Sequence, residues 1–181
     1  MGGFAASDYV QLLVAGLSTG SIYVLIGLGL IAIYNVTGII NLAQGEFVML
    51  GAMLAVALHR LGLPLAAAGA LAVSSVVLVG LAVHRLTVVP ARSATDVTMI
   101  IITIGTSIAL RGLALLFWGT TPYSLPDFTP GPPLPLLGAV VGRQRLWITG
   151  VAALVLLLLY LFFEHTVLGK ALRACAINRR A

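Results

Sequence analysis

Long apolar runs separated by short polar stretches organise this chain. The runs cover residues 10–34, 38–58, 64–83, 97–118 and 146–163. Each comes close to the roughly 20 residues that a helix needs to cross a hydrocarbon core about 30 Å thick. Between them lie "HRLGLP" (59–64), punctuated by Gly62 and Pro64, and the polar linker "HRLTVVPARSATD" (84–96), with Pro90 inside it. Asp96, three residues after Ser93, reads as a start signal for the fourth helix. The stretch 119–145 changes character, with six prolines in "TPYSLPDFTPGPPLP", and predicts a loop of little regular structure on one side of the membrane. A polar, basic tail occupies 164–181. The pattern predicts an all-α polytopic bundle: one transmembrane domain over 1–181, with about five spans.

The second run departs from the others. Within "NVTGIINLAQGEFVMLGAM" (35–53), Asn41, Gln44 and Glu46 crowd into an otherwise apolar segment. Gly38 and Gly45 weaken continuous helix. Asn41, with Gln44 three residues later, has the form of a capping box. The span is therefore expected to break, with a shorter helix restarting around 41–47. Irregular backbone at membrane depth is tolerated only where protein buries it or a wet cavity receives it, and transporters place such broken helices at their central sites. Asn41, Gln44, Gly45 and Glu46 are accordingly the candidates for a broken helix beside a pathway.

Two readings of Glu46 stand. One is an acid favoured by the dipole at a helix N-terminus, near the inner boundary of the membrane. The other is an interior carboxylate facing a pathway. The structural role predicts that Glu46→Gln folds and inserts but weakens packing or gating. Arg111, the other charge within a run, either snorkels outward or pairs inside the bundle. The small residues Gly16, Gly20, Gly51 and Gly105 are candidates for close helix packing.

Composition sharpens this picture. Hydrophobic residues make up 60% of the 181 positions and charged ones 8%, with a mean hydropathy of +1.12. A soluble domain carries about a quarter charged residues. The net charge of +5 belongs to loops at the membrane edge, and no basic run interleaved with aromatics points to nucleic acid. Alternating the linkers puts Arg85, Arg92, Lys170, Arg173, Arg179 and Arg180 on one side and Arg60, Arg143 and Arg145 on the other. The richer side is expected to be cytoplasmic, which places the N-terminus and the proline-rich loop outside and the tail inside. The N-terminus lacks a basic leader, so the first helix is expected to remain in the mature protein.

Catalytic constellations are missing from the sequence: there is no Ser/His/acid set, no paired carboxylates, no His/Cys cluster and no phosphate-cradling glycine loop. The single Cys175 has no partner for an intrachain disulfide. An energy source must then come from another chain or from an ion gradient. In the tail, Leu168, Leu172 and Cys175 fall at i, i+4, i+7 beside Lys170, Arg173 and Arg179. This amphipathic strip either lies on the lipid surface or docks a cytoplasmic partner.

These residues carry a family resemblance. Gly38, Asn41, Ala43, Gly45 and Glu46, followed by Leu50-Gly51-Ala52, resemble the hallmark of branched-chain amino-acid ABC transporter permeases. "ITIGTSIALRGLALLFWG" (102–119) and "TVLGKALRACAINRRA" (166–181) are similar to that family's Thr-x-Gly helix and to its segment leading into the cytoplasmic loop. The resemblance implies a non-enzymatic permease subunit in a bacterial inner membrane, with no cofactor of its own. It implies a second permease subunit, cytoplasmic ATP-binding subunits that hydrolyse the ATP, and an extracytoplasmic substrate-binding protein. Gly169, Lys170, Arg173 and Asn178 become candidate contacts to the ATP-binding subunits. The chain resembles the first half or so of such permeases, before their C-terminal helices. An ion-coupled transporter or channel and a non-transporting assembly subunit remain the alternatives.

Overall fold

The computed structural model describes residues 6–91, 93–136 and 138–177. The proposed contact Asn178 and the basic residues Arg92, Arg179 and Arg180 lie outside them. The described chain is mainly helical, in element order α1 (Ala6–Thr37), α2 (Gln44–Arg60), α3 (Leu65–Val83), α4 (Asp96–Trp118), α5 (Arg143–His165) and α6 (Val167–Ile177). It divides into two compact units, one of Met1–Val36 with Pro126–Ala181 and one of Thr37–Leu125.

In the unit Thr37–Leu125, α1 ends at Gly38, whose φ of 72° is a left-handed conformation that glycine takes without a Cβ penalty. Residues 38–43 are not helical, and α2 then runs for 17 residues to Arg60. A turn through Gly62 (φ 94°) sends the chain back into α3. Where the sequence suggested that the linker begins at His84, the helix instead continues through one π-helical turn, His84–Val88. No glycine or proline intervenes before Pro90, and the Thr87 hydroxyl satisfies the Val83 carbonyl at 2.7 Å.

The start signal of α4 also moves. Thr95 is the N-cap, accepting the amide of Thr98 at 3.3 Å. Asp96 is the first helical residue, where its charge complements the dipole. At the far end, Gly119 returns its amide to the Leu115 carbonyl at 2.9 Å. The core of this unit is Leu50 of α2 against Leu110 and Ala114 of α4, flanked by Phe47, Val76, Val79 and Trp118. In a bilayer such contacts act by close packing, since lipid tails are as apolar as leucine.

The second unit holds most of α1, together with α5 and α6. Its proline-rich segment is more ordered than the composition suggests: Leu134–Leu136 (β1) and Ala139–Val141 (β2) form an antiparallel hairpin with Leu134 opposite Val141. The segment is pinned to the start of α5. Phe128 donates its amide to Gln144 at 3.1 Å, Arg143 Nε donates to the Pro132 carbonyl at 3.0 Å, and Trp147 Nε1 donates to Thr129 at 2.9 Å. Among the described residues, four stretches are long and apolar enough to cross a membrane: Ala6–Asn35, Leu65–Val88, Asp96–Trp118 and Arg143–His165.

Candidate functional site

The break in the second run sits beside α4. Going along the chain, Ile40 and Leu42 meet Thr103, Glu46 meets Ser107 and Arg111, and Leu50 packs on Leu110 and Ala114. The two segments therefore run parallel. At 1.5 Å per residue, Thr103 lies about 10 Å along the axis of α4, Ser107 about 16 Å and Arg111 about 22 Å, out of about 34 Å in all. The irregular backbone thus falls well inside the length of a spanning helix. Glu46 lies beside the middle of the length of α4. Further along, Arg60 at the end of α2 stacks over the Tyr123 ring, 4.4 Å from its centroid.

Backbone groups freed at that depth need partners. The amide of Ile39 donates to Thr37 Oγ1 at 3.1 Å, that of Ala43 to Asn41 Oδ1 at 3.1 Å, and that of Leu42 to Thr103 Oγ1 at 3.4 Å. The Thr103 hydroxyl in turn faces the carbonyls of Ile100 at 2.9 Å and Ile40 at 3.4 Å. The capping box expected from Asn41 and Gln44 does not form. Ala43 is the N-cap of α2 and makes no side-chain cap. Asn41 folds its side-chain oxygen onto an amide only two residues ahead, and this turn leaves it unable to serve the helix start.

Glu46 is buried, and its Oε1 accepts from Ser107 Oγ at 3.0 Å and from Arg111 Nη2 at 2.5 Å. Of the two readings of Arg111, pairing inside the unit is the one observed. The pair is lopsided, with the Glu46 side chain 8% exposed and that of Arg111 65%. Gln44 is half-buried and Gly45 exposed. Thr103 and Ser107 went unnoticed in the sequence, although a signal was there: Thr103, Ser107 and Arg111 are spaced i, i+4, i+8, one polar stripe on an apolar helix.

The remaining candidates fall elsewhere. Gly51 faces α3, where a Cβ would meet Val76 at 3.6 Å, whereas Gly16, Gly20 and Gly105 would meet nothing within 4 Å. Among the described residues, Gly51 is the one of these four that another element approaches within 4 Å. Gly169 does pack: an added Cβ would overlap the Phe162 carbonyl oxygen, so its part in the fold is to let α6 turn back on α5. Lys170 is exposed, and Arg173 pairs with Glu164 at 2.6 Å. Among the described residues no three His, Cys, Asp or Glu side chains are grouped to hold a metal ion.

Long apolar helices and a run interrupted partway along its neighbour, braced by an ion pair whose acid is enclosed, define a polytopic membrane protein. Residues 12–181 match the family of branched-chain amino acid transport system permease components, and the chain belongs to that family. It is 34% identical over 181 aligned residues to the high-affinity branched-chain amino acid transport system permease protein BraD of Pseudomonas aeruginosa, covering 93% of this chain and 59% of that protein. It is 30% identical to the corresponding permease protein LivH of Escherichia coli K12 and to that of Salmonella typhimurium, with the same coverage. The chain thus spans about three-fifths of the length of these curated relatives. No solved structure matches it.

Proposed function

We propose that this chain is a membrane-spanning permease subunit of an ATP-driven importer and lines the translocation pathway for branched-chain or related amino acids. The observation that carries the proposal is the braced break: irregular backbone at 38–43 and an ion pair, Glu46–Arg111, halfway along a spanning helix in a member of this family. Broken helices at that depth are where transporters receive substrate. The relatives' names supply the substrate class. At mid-span the acid is already neutralised by Arg111, which favours an external energy source over coupling to an ion that a free carboxylate would bind.

On this reading ATP is hydrolysed by cytoplasmic partner subunits. A second permease subunit completes the pathway, and an extracytoplasmic binding protein delivers the substrate. The excess of Lys and Arg on the α3–α4 linker and the tail supports an outer N-terminus. Vesicles containing the assembled complex, loaded with ATP, should take up leucine faster than urea, short amides or ribose. Leucine uptake no faster than in ATP-free vesicles overturns the reading.

A further inference from the structure

The Glu46–Arg111 pair uses only part of the arginine. A guanidinium carries five N–H donors in a planar fork. In the structure Nη2 donates to Glu46 Oε1, and no other hydrogen bond from Arg111 is present among the described residues. The carboxylate is enclosed while the Arg111 side chain is 65% exposed. Apolar side chains of similar size commonly match an ion pair in stability once both partners are replaced, so stability alone does not call for this one. Glu46 instead acts as an anchor: it neutralises the cation at a depth where an isolated one is costly and fixes its direction, together with Ser107. What remains is a positioned set of N–H donors beside the break, about 22 Å along α4. That fork matches a carboxylate, which it binds in two parallel hydrogen bonds.

We propose that Arg111 is a substrate-binding residue of the pathway, offering the unused edge of its guanidinium to the α-carboxylate of the amino acid in transit, with Glu46 as the residue that positions it. This rests on the reading of the chain as an amino-acid pathway.

The test uses the assembled complex in ATP-loaded vesicles. Arg111→Gln combined with Glu46→Gln leaves no uncompensated charge, so the doubly substituted complex should assemble with a near-wild-type melting temperature, while leucine uptake falls about tenfold or more. Arg111→Lys should retain an intermediate rate. In a Cys175→Ser background, Arg111→Cys should react with a water-soluble methanethiosulfonate, and leucine should slow that reaction while leucinamide, which lacks the carboxylate, should not. Full uptake by the doubly substituted complex overturns the proposal even where the wild type transports leucine. So does an Arg111→Cys chain that the reagent never labels, as expected of a side chain facing lipid or a packed subunit. Wild-type vesicles that take up no leucine overturn the pathway reading, and this proposal with it.

Discussion

Glu46 and Arg111, sixty-five positions apart, meet at 2.5 Å, with the acid enclosed and the base open. Their exposures set the direction of an asymmetry. Removing Arg111 strands a buried carboxylate with Ser107 as its remaining partner, whereas Glu46→Gln leaves an amide oxygen for both Ser107 and Arg111, and the cation it no longer neutralises is on the side chain that is already open. Arg111→Met should therefore lower the melting temperature of the purified protein by several degrees, and Glu46→Gln by clearly less. Equal losses, measured by thermal shift in one detergent, would show that the enclosure of Glu46 carries no such weight.

Thr103 is the second brace. Its hydroxyl is buried and bridges the Leu42 amide and the carbonyls of Ile40 and Ile100. Thr103→Val keeps the shape and removes the hydroxyl, at a cost of about 1–2 kcal/mol for the unpaired backbone groups. Thr103→Ser should restore most of it. Hydrogen exchange resolves the local effect: the Leu42 amide should lose protection in the valine variant and keep it in the serine variant, and unchanged exchange in both would remove Thr103 from this role.

How far the sequence revealed this site depends on the kind of signal each part carries. The break was legible because Gly38, Asn41 and Gly45 are local interruptions of an apolar run, visible without any partner. The partners themselves lie sixty or so positions away, and the polar stripe Thr103–Ser107–Arg111 acquires meaning only once the register with α2 is known. That register also sets Glu46 beside the middle of α4. The continuation of α3 through His84–Val88 was obscured for a different reason: His84 and Arg85 look like a loop in composition, yet nothing in their backbone chemistry stops a helix. The hairpin Leu134–Val141 was hidden by the neighbouring prolines, which limit ladder hydrogen bonds but are accommodated at the edge of a two-stranded ribbon.

The proline-rich segment offers a separate test. Gln144 and Trp147 tie Phe128 and Thr129 to the first turns of α5, and the Phe128 and Trp147 rings lie 5.9 Å apart. Trp147→Ala removes the hydrogen bond and the ring contact together. Limited proteolysis should then cut within 126–133 several times faster than in the wild type, while Gln144→Ala, which loses one exposed hydrogen bond, should have a smaller effect. Equal cleavage rates in all three proteins would mean that these ties do not order the segment.

At the other end of α5, Thr166 and Gly169 shape the turn into α6. The Thr166 hydroxyl donates to the Phe162 carbonyl at 2.6 Å and accepts the Gly169 amide at 2.9 Å. That close return leaves no room at Gly169, where a Cβ would also come within 2.6 Å of the Phe163 Cα. Backbone atoms cannot move aside as a side-chain tip can, so Gly169→Ala should swing α6 away from α5. The Arg173–Glu164 pair is exposed on both sides, and Arg173→Ala should cost under about 1 kcal/mol. If α6 docks the ATP-binding subunit, Gly169→Ala should abolish co-purification of that subunit with membrane insertion intact, because it displaces the whole surface. Arg173→Glu should do the same by reversing one charge on a surface left in place. Undiminished co-purification in both variants would leave α6 as a helix lying on lipid.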